Sequence, residues 1–181
     1  TLALSLNVYG ADAPETITVT SSAFDHHGTV PEEYSAYGDN KSIDLSWSNL
    51  PVGTVQLALI CDDPEVVTIG MMETPFPHWV AYNIPASASG LPEGMATDAV
   101  VSGVAGLDGM INGLNGTSRS GYFGPRPPVN GHLHAYHFRV YAIDANLDLG
   151  EGLNKDELLS AIDGHVLATG MLMGHYERKE Q

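Results

Sequence analysis

Apolar and polar positions alternate most regularly between residues 132 and 141, H-L-H-A-Y-H-F-R-V-Y. Strand side chains repeat with period two, so a strand here places His132, His134, Tyr136, Phe138 and Val140 on one face and Leu133, Ala135, His137, Arg139 and Tyr141 on the other. The first face is polar at its start and apolar at its far end. That is the pattern of a core-facing strand whose beginning opens into a pocket floored by His134 and Tyr136. The preceding G-P-R-P-P, residues 124–128, predicts a stiff irregular loop, because Pro fixes φ and removes a ladder donor while Gly permits tight turns. Gly124, Pro125, Pro127 and Pro128 then form a rim over that pocket.

The rest of the chain reads as short strands separated by Pro and Gly. Residues 16–20 (T-I-T-V-T) and 42–47 (S-I-D-L-S-W) are strands of β-branched or alternating type. Residues 55–61 (V-Q-L-A-L-I-C) are nearly all apolar, which predicts a central strand buried on both faces, and residues 78–84 (H-W-V-A-Y-N-I) give another. From Ser87 to Tyr122 there is little periodicity, and the segment reads as loop with at most one short strand. Leu107 to Ser120 is expected to be the most mobile part of the domain, having little apolar surface to anchor it. Asn154 with Glu157 forms a capping-box signature before Leu158, Leu159, Ile162, Val166 and Leu167, so one helix is expected over Lys155–Ala168 with Gly164 a weak point. A last strand, T-G-M-L-M-G-H-Y-E-R, returns to the sheet. The expected fold is mainly β: a sandwich of antiparallel sheets with a peripheral helix.

The 181 residues suit one domain, taken as 16–181, after an amino-terminal extension over 1–15. Seven basic against 22 acidic residues leave a formal charge of −15, which repels polyanions and argues against nucleic-acid partners. The lone Cys61 lies in an apolar run and reads as a small buried hydrophobe. No run approaches the roughly 20 apolar residues of a membrane span. Residues 1–13 read either as the tail of a secretory signal peptide ending in Ala-x-Ala or as an ordinary strand. The missing initial Met leans the reading to a periplasmic or secreted protein, with a cytoplasmic one as the alternative.

Chemistry concentrates at one rim. In antiparallel neighbours the carboxyl end of one strand lies beside the amino end of the next, so Asp63, just after its strand, can meet His78 and His134, which begin theirs. With Tyr136 and the proline loop the result is a small concave site of one acid, two imidazoles and a phenol, the default arrangement of a ligand pocket. His132-x-His134 also raises a metal-dependent, cupin-like enzyme as an alternative, but residues 135–139 contain no Glu to complete such a ligand set. A hydrolytic enzyme on the same strand is the other alternative, yet no G-x-S-x-G occurs. Adjacent His26 and His27 read as a solvated turn whose side chains diverge, and the Gly-rich run 103–116 lacks the Gly-Lys-Ser/Thr of a phosphate loop. No metal, cofactor or catalytic residue is expected.

G-P-R-P-P followed by G-H-L-H-A-Y-H-F-R-V-Y-A-I-D resembles the signature of the phosphatidylethanolamine-binding proteins, the group that includes the Raf kinase inhibitor protein and bacterial relatives, and the likeness runs over most of the chain. The resemblance implies a Greek-key type antiparallel β-sandwich with one or two short helices near the carboxyl end. It also implies an anion pocket, for phosphate, phosphoethanolamine or a carboxylate, built from Asp63, His78, Gly124, Pro125, Pro127, Pro128, His134 and Tyr136. In some relatives this accompanies inhibition of a protease or kinase, so such a protein partner is implied as well. The chain departs from the family's D-P-D-A-P motif at Glu65, Val66 and Val67, and carries Arg126 where many bacterial relatives have Cys.

Overall fold

The structure is a computed structural model and describes residues 13–180. The segment over 1–12, on which the signal-peptide reading mainly rests, lies outside the described residues.

Among the described residues nine strands form two sheets: β1 (Thr18–Thr20), β2 (Gly28–Thr29), β3 (Leu45–Ser48), β4 (Gln56–Asp63), β5 (Phe76–Pro85), β6 (Gly90–Leu91), β7 (Ile111–Asn112), β8 (His134–Ile143) and β9 (Val166–Tyr176). The larger sheet has the order β2-β9-β8-β4-β5-β7, and the smaller the order β1-β3-β6. All pairings are antiparallel except β2 with β9. The expected mainly-β, two-sheet class is the one observed.

The apolar run that predicts a doubly buried strand becomes β4, at the middle of the large sheet, and alternation divides its side chains between two cores. Leu57, Leu59 and Cys61 join Phe138, Val140, Trp79 and Trp47 between the sheets. Ala58 and Ile60 join Val80, Tyr82, Tyr141, Leu158 and Ile162 beneath the helix α2 (Lys155–Ile162). Each of these Leu, Ile or Val side chains contributes roughly 1.5–3 kcal/mol when fully buried.

The strand carrying the histidines starts at His134 rather than 132. His132 is exposed in the turn before it, where its N–H donates to Asn130 Oδ1. The helix is shorter than expected for a definable reason. Its start is the predicted capping box, with Asn154 Oδ1 accepting from the N–H groups of Asp156 and Glu157 at 3.0 Å and Glu157 Oε2 accepting from Asn154 N–H at 2.9 Å. Its end is set by Gly164, which adopts φ 78°, the left-handed terminator conformation that other residues resist. Val166 then pairs with Ile143 and begins β9, so Val166 and Leu167 are strand residues whose spacing imitated a helix.

The segment over 87–122 holds two short strands, not one, and it is pinned. Leu107 and Met110 are buried in the core between the sheets, and Ile111 is buried beneath α2. Asn112 accepts from Trp79 Nε1–H at 3.0 Å through Oδ1 and donates to the carbonyls of Ala96 and Asp98 through Nδ2. The expectation that Leu107–Ser120 lacks apolar anchors is therefore overturned. Its exposed runs are short, 108–109 and the tip 116–119.

Candidate functional site

The antiparallel register delivers the expected convergence. Asp63 ends β4 opposite Phe76 of β5, and Asp62 faces His137 of β8. Asp63 Oδ2 accepts a hydrogen bond from His134 Nδ1–H at 2.6 Å, and its Oδ1 accepts the Glu65 N–H at 2.9 Å. That second bond starts a one-turn helix, α1 (Glu65–Thr68). The departure from the family motif thus yields an ordered turn, and its buried Val66 lines the site.

His78 and Tyr136 meet edge to face, with ring centroids 5.0 Å apart, while Phe123 stacks on the other side of His78 at 5.8 Å. His78 Nδ1–H donates to the Phe123 carbonyl at 2.6 Å. These groups enclose a cavity of about 170 Å³, whose lining includes Asp63, His78, His134, Tyr136, Pro127 and Pro128. One side of its mouth is apolar, with Met71 and Met72 half exposed, and the other side carries Arg126.

Gly124 and Pro125 do not line the cavity. They fasten the loop that does: Gly124 N–H donates to Asn40 Oδ1 at 2.7 Å, and the Pro125 carbonyl accepts from Ala36 N–H at 3.0 Å. Glycine is required because an added Cβ would sit 2.2 Å from the Tyr34 carbonyl oxygen and 2.8 Å from Ser35 C. Gly124→Ala is expected to cost about 1–3 kcal/mol, since backbone must move to relieve the overlap. A thermal melt within a degree of the parent would contradict this contact.

Two features of the electrostatics govern what the cavity can do. Burial pushes the His78 imidazole below its ordinary value, and the Phe123 carbonyl and Asp63, which favour the proton, do not make up the difference. Burial, helped by Asp63, raises the Tyr136 phenol, which keeps its proton and stays a donor. At the floor, His134 Nε2 and the Tyr136 hydroxyl are both buried with no hydrogen-bond partner among the described residues.

Comparison with known proteins bears on the family and the fold. A family profile described as phosphatidylethanolamine-binding protein matches residues 20–177. The chain belongs to that family. A UPF0098 protein of Methanothermobacter thermautotrophicus is 38% identical over 162 residues, spanning 90% of this chain and 99% of the relative. A phosphatidylethanolamine-binding protein homolog from Chlamydia trachomatis, of solved structure, superposes with TM-score 0.76 at 36% identity, covering 91% of this chain and 99% of that one. YbcL of E. coli shares the fold, with TM-score 0.79 at 24% identity over 90% of this chain and 99% of that one.

Of the eight residues the sequence singled out, Asp63, His78, Pro127, Pro128, His134 and Tyr136 line the cavity, whereas Gly124 and Pro125 do not. The sequence missed Phe76, Phe123, Met71 and Met72. Phe123 directly precedes the proline loop, which was a usable signal, whereas the methionines carried none. His26 and His27 do not diverge as expected: their rings pack edge-on at 4.1 Å, and His26 Nδ1 accepts the Met173 N–H at 3.1 Å. His27 is at φ 66°, which turns its ring back over its neighbour.

Proposed function

We propose that this member of the family is a non-enzymatic binding protein whose cavity takes a small anionic group, a phosphate, phosphoethanolamine or carboxylate. The observation that carries the reading is the pair of buried, partnerless atoms on its floor, His134 Nε2 and the Tyr136 hydroxyl. Orphaned buried polar atoms cost about 1–3 kcal/mol each, and a ligand oxygen that accepts from the Tyr136 hydroxyl and from a protonated His134 Nε2 relieves that cost. A cavity of about 170 Å³ accommodates one such group but not a whole lipid. The rim at Met71 and Met72 is where a protease or kinase partner would meet the occupied or empty pocket.

The tautomers make binding proton-coupled. With Nδ1–H committed to Phe123, a neutral His78 offers only a lone pair at Nε2, and the same holds for His134, whose Nδ1–H is committed to Asp63. Each ring donates to an anion from Nε2 only when protonated. Free His78 titrates below about 6.5, and the anion favours the protonated ring, so binding above that lowered value takes up a proton. Affinity for sulfate, fully ionised throughout the range, should therefore rise up to about tenfold for each unit of falling pH, then level off below the free-state value. Calorimetric titration between pH 8 and pH 5 checks this. Sulfate affinity independent of pH, with no proton uptake in buffers of differing ionisation enthalpy, would contradict it.

A further inference from the structure

A second, larger cavity of about 750 Å³ adjoins the first, and its lining includes Asn40, Asn115, Thr117, Arg119, Phe123 and Arg126. Phe123 and Arg126 line both, so the two cavities are neighbours that share a wall. Its chemistry is unusual for this chain. Of seven Lys and Arg side chains, Lys41, Arg139, Lys155 and Arg178 are paired with carboxylates. Of the other three, Lys179 lies beside Glu177 and Glu180 near the carboxyl end, while Arg119 and Arg126 have no carboxylate partner among the described residues and both converge on this cavity. No carboxylate lines it. In a protein of charge −15, leaving two guanidinium groups unneutralised beside an anion pocket is the arrangement of a site that expects a further negative charge.

We propose that the outer cavity binds a carboxylate borne by the same ligand whose phosphate occupies the inner pocket, with Arg119 and Arg126 as the residues that select it. The ligand class is a small phosphorylated carboxylic acid. An ammonium group attached to the phosphate, as in phosphoethanolamine, meets Arg126 at the mouth and finds no acid to pair with. The proposal rests on the anion-pocket reading above and sharpens it. One further polar group serves the same end: Asn40 Oδ1 is spent on Gly124 N–H, which leaves its amide N–H groups as donors for a carboxylate, whereas the Thr117 hydroxyl is spent on Asn115 Oδ1 and contributes no donor.

The test uses two matched series, ω-carboxyalkyl phosphates and ω-aminoalkyl phosphates of the same chain lengths, with inorganic phosphate as the common reference. At the best length the carboxylate compound should bind about tenfold more tightly than its amino counterpart, as expected for partly exposed Arg–carboxylate pairs, and raised salt should shrink the gap. Arg119→Gln, which lies outside the inner pocket, should collapse the difference to within about twofold while leaving the affinity for inorganic phosphate unchanged. Equal or tighter binding of the amino series at every length overturns the proposal, as does a preference untouched by Arg119→Gln. Failure of all probes, inorganic phosphate included, would instead overturn the anion pocket itself, so the two claims fail separately.

Discussion

His134→Ala is expected to abolish sulfate and phosphate binding and also to lower folding stability by about 3 kcal/mol, and the second effect follows from the structure alone. Alternation along β8 suggests that Phe138 and Val140 carry the packing, so that His134 could be truncated without harm to the fold. His134 is however fully buried and forms a 2.6 Å hydrogen bond with the equally buried Asp63. Removing one partner of such a pair strands a charge in a poorly solvated place, which typically costs about 3–5 kcal/mol, with the low end fitting a site that a cavity can wet. The double variant Asp63→Asn/His134→Ala removes the stranded charge and should recover most of the loss without recovering binding. Chemical denaturation of the four proteins in the cycle, with titration of each, separates the effects. Additive stability losses would mean that the two side chains do not act as a pair, and residual phosphate affinity in His134→Ala would place the anion elsewhere.

The contrast between what was visible in the chain and what was not has a physical basis. The proline loop, the period-two face of β8 and the apolar run of β4 are local signals, each decided by φ restriction or side-chain alternation within ten residues. The antiparallel rule then carries Asp63 to His78 and His134, because strand ends are the one long-range feature that alternation specifies. Signals failed where partners are distant or where two periods coincide. Val166 and Leu167 satisfy a helical spacing, yet Gly164 in the left-handed conformation ends the helix and strand pairing takes the remainder. Leu107, Met110 and Ile111 look like scattered apolar residues in a Gly-rich stretch, but they reach the two cores, and Asn112 ties the segment to Trp79. Arg119 carried no signal at all, since nothing near it in sequence reveals that the loop tip faces Arg126.

The same limit hid a second buried pair, and it gives an equally large expected effect. Lys155 opens α2, where a lysine would ordinarily wave in solvent, but it is only 5% exposed and its Nζ donates to Asp62, itself 1% exposed. Asp62 belongs to the face of Ala58 and Ile60, so this contact fastens the helix to the underside of β4 at the end that carries Asp63. Lys155→Met keeps the length and apolar stem of the side chain while leaving Asp62 buried without its cation, and should cost about 3–5 kcal/mol. Asp62→Asn/Lys155→Met should be far milder, because no charge remains to be solvated. The consequence for function is positional: if the pair holds the end of β4 in place, Lys155→Met should weaken sulfate binding even at temperatures where the protein is fully folded, while the double variant restores it. Denaturant melts combined with calorimetry at a low temperature decide the matter. A folded Lys155→Met protein with unchanged sulfate affinity would show that the pair secures the helix alone and leaves the pocket untouched.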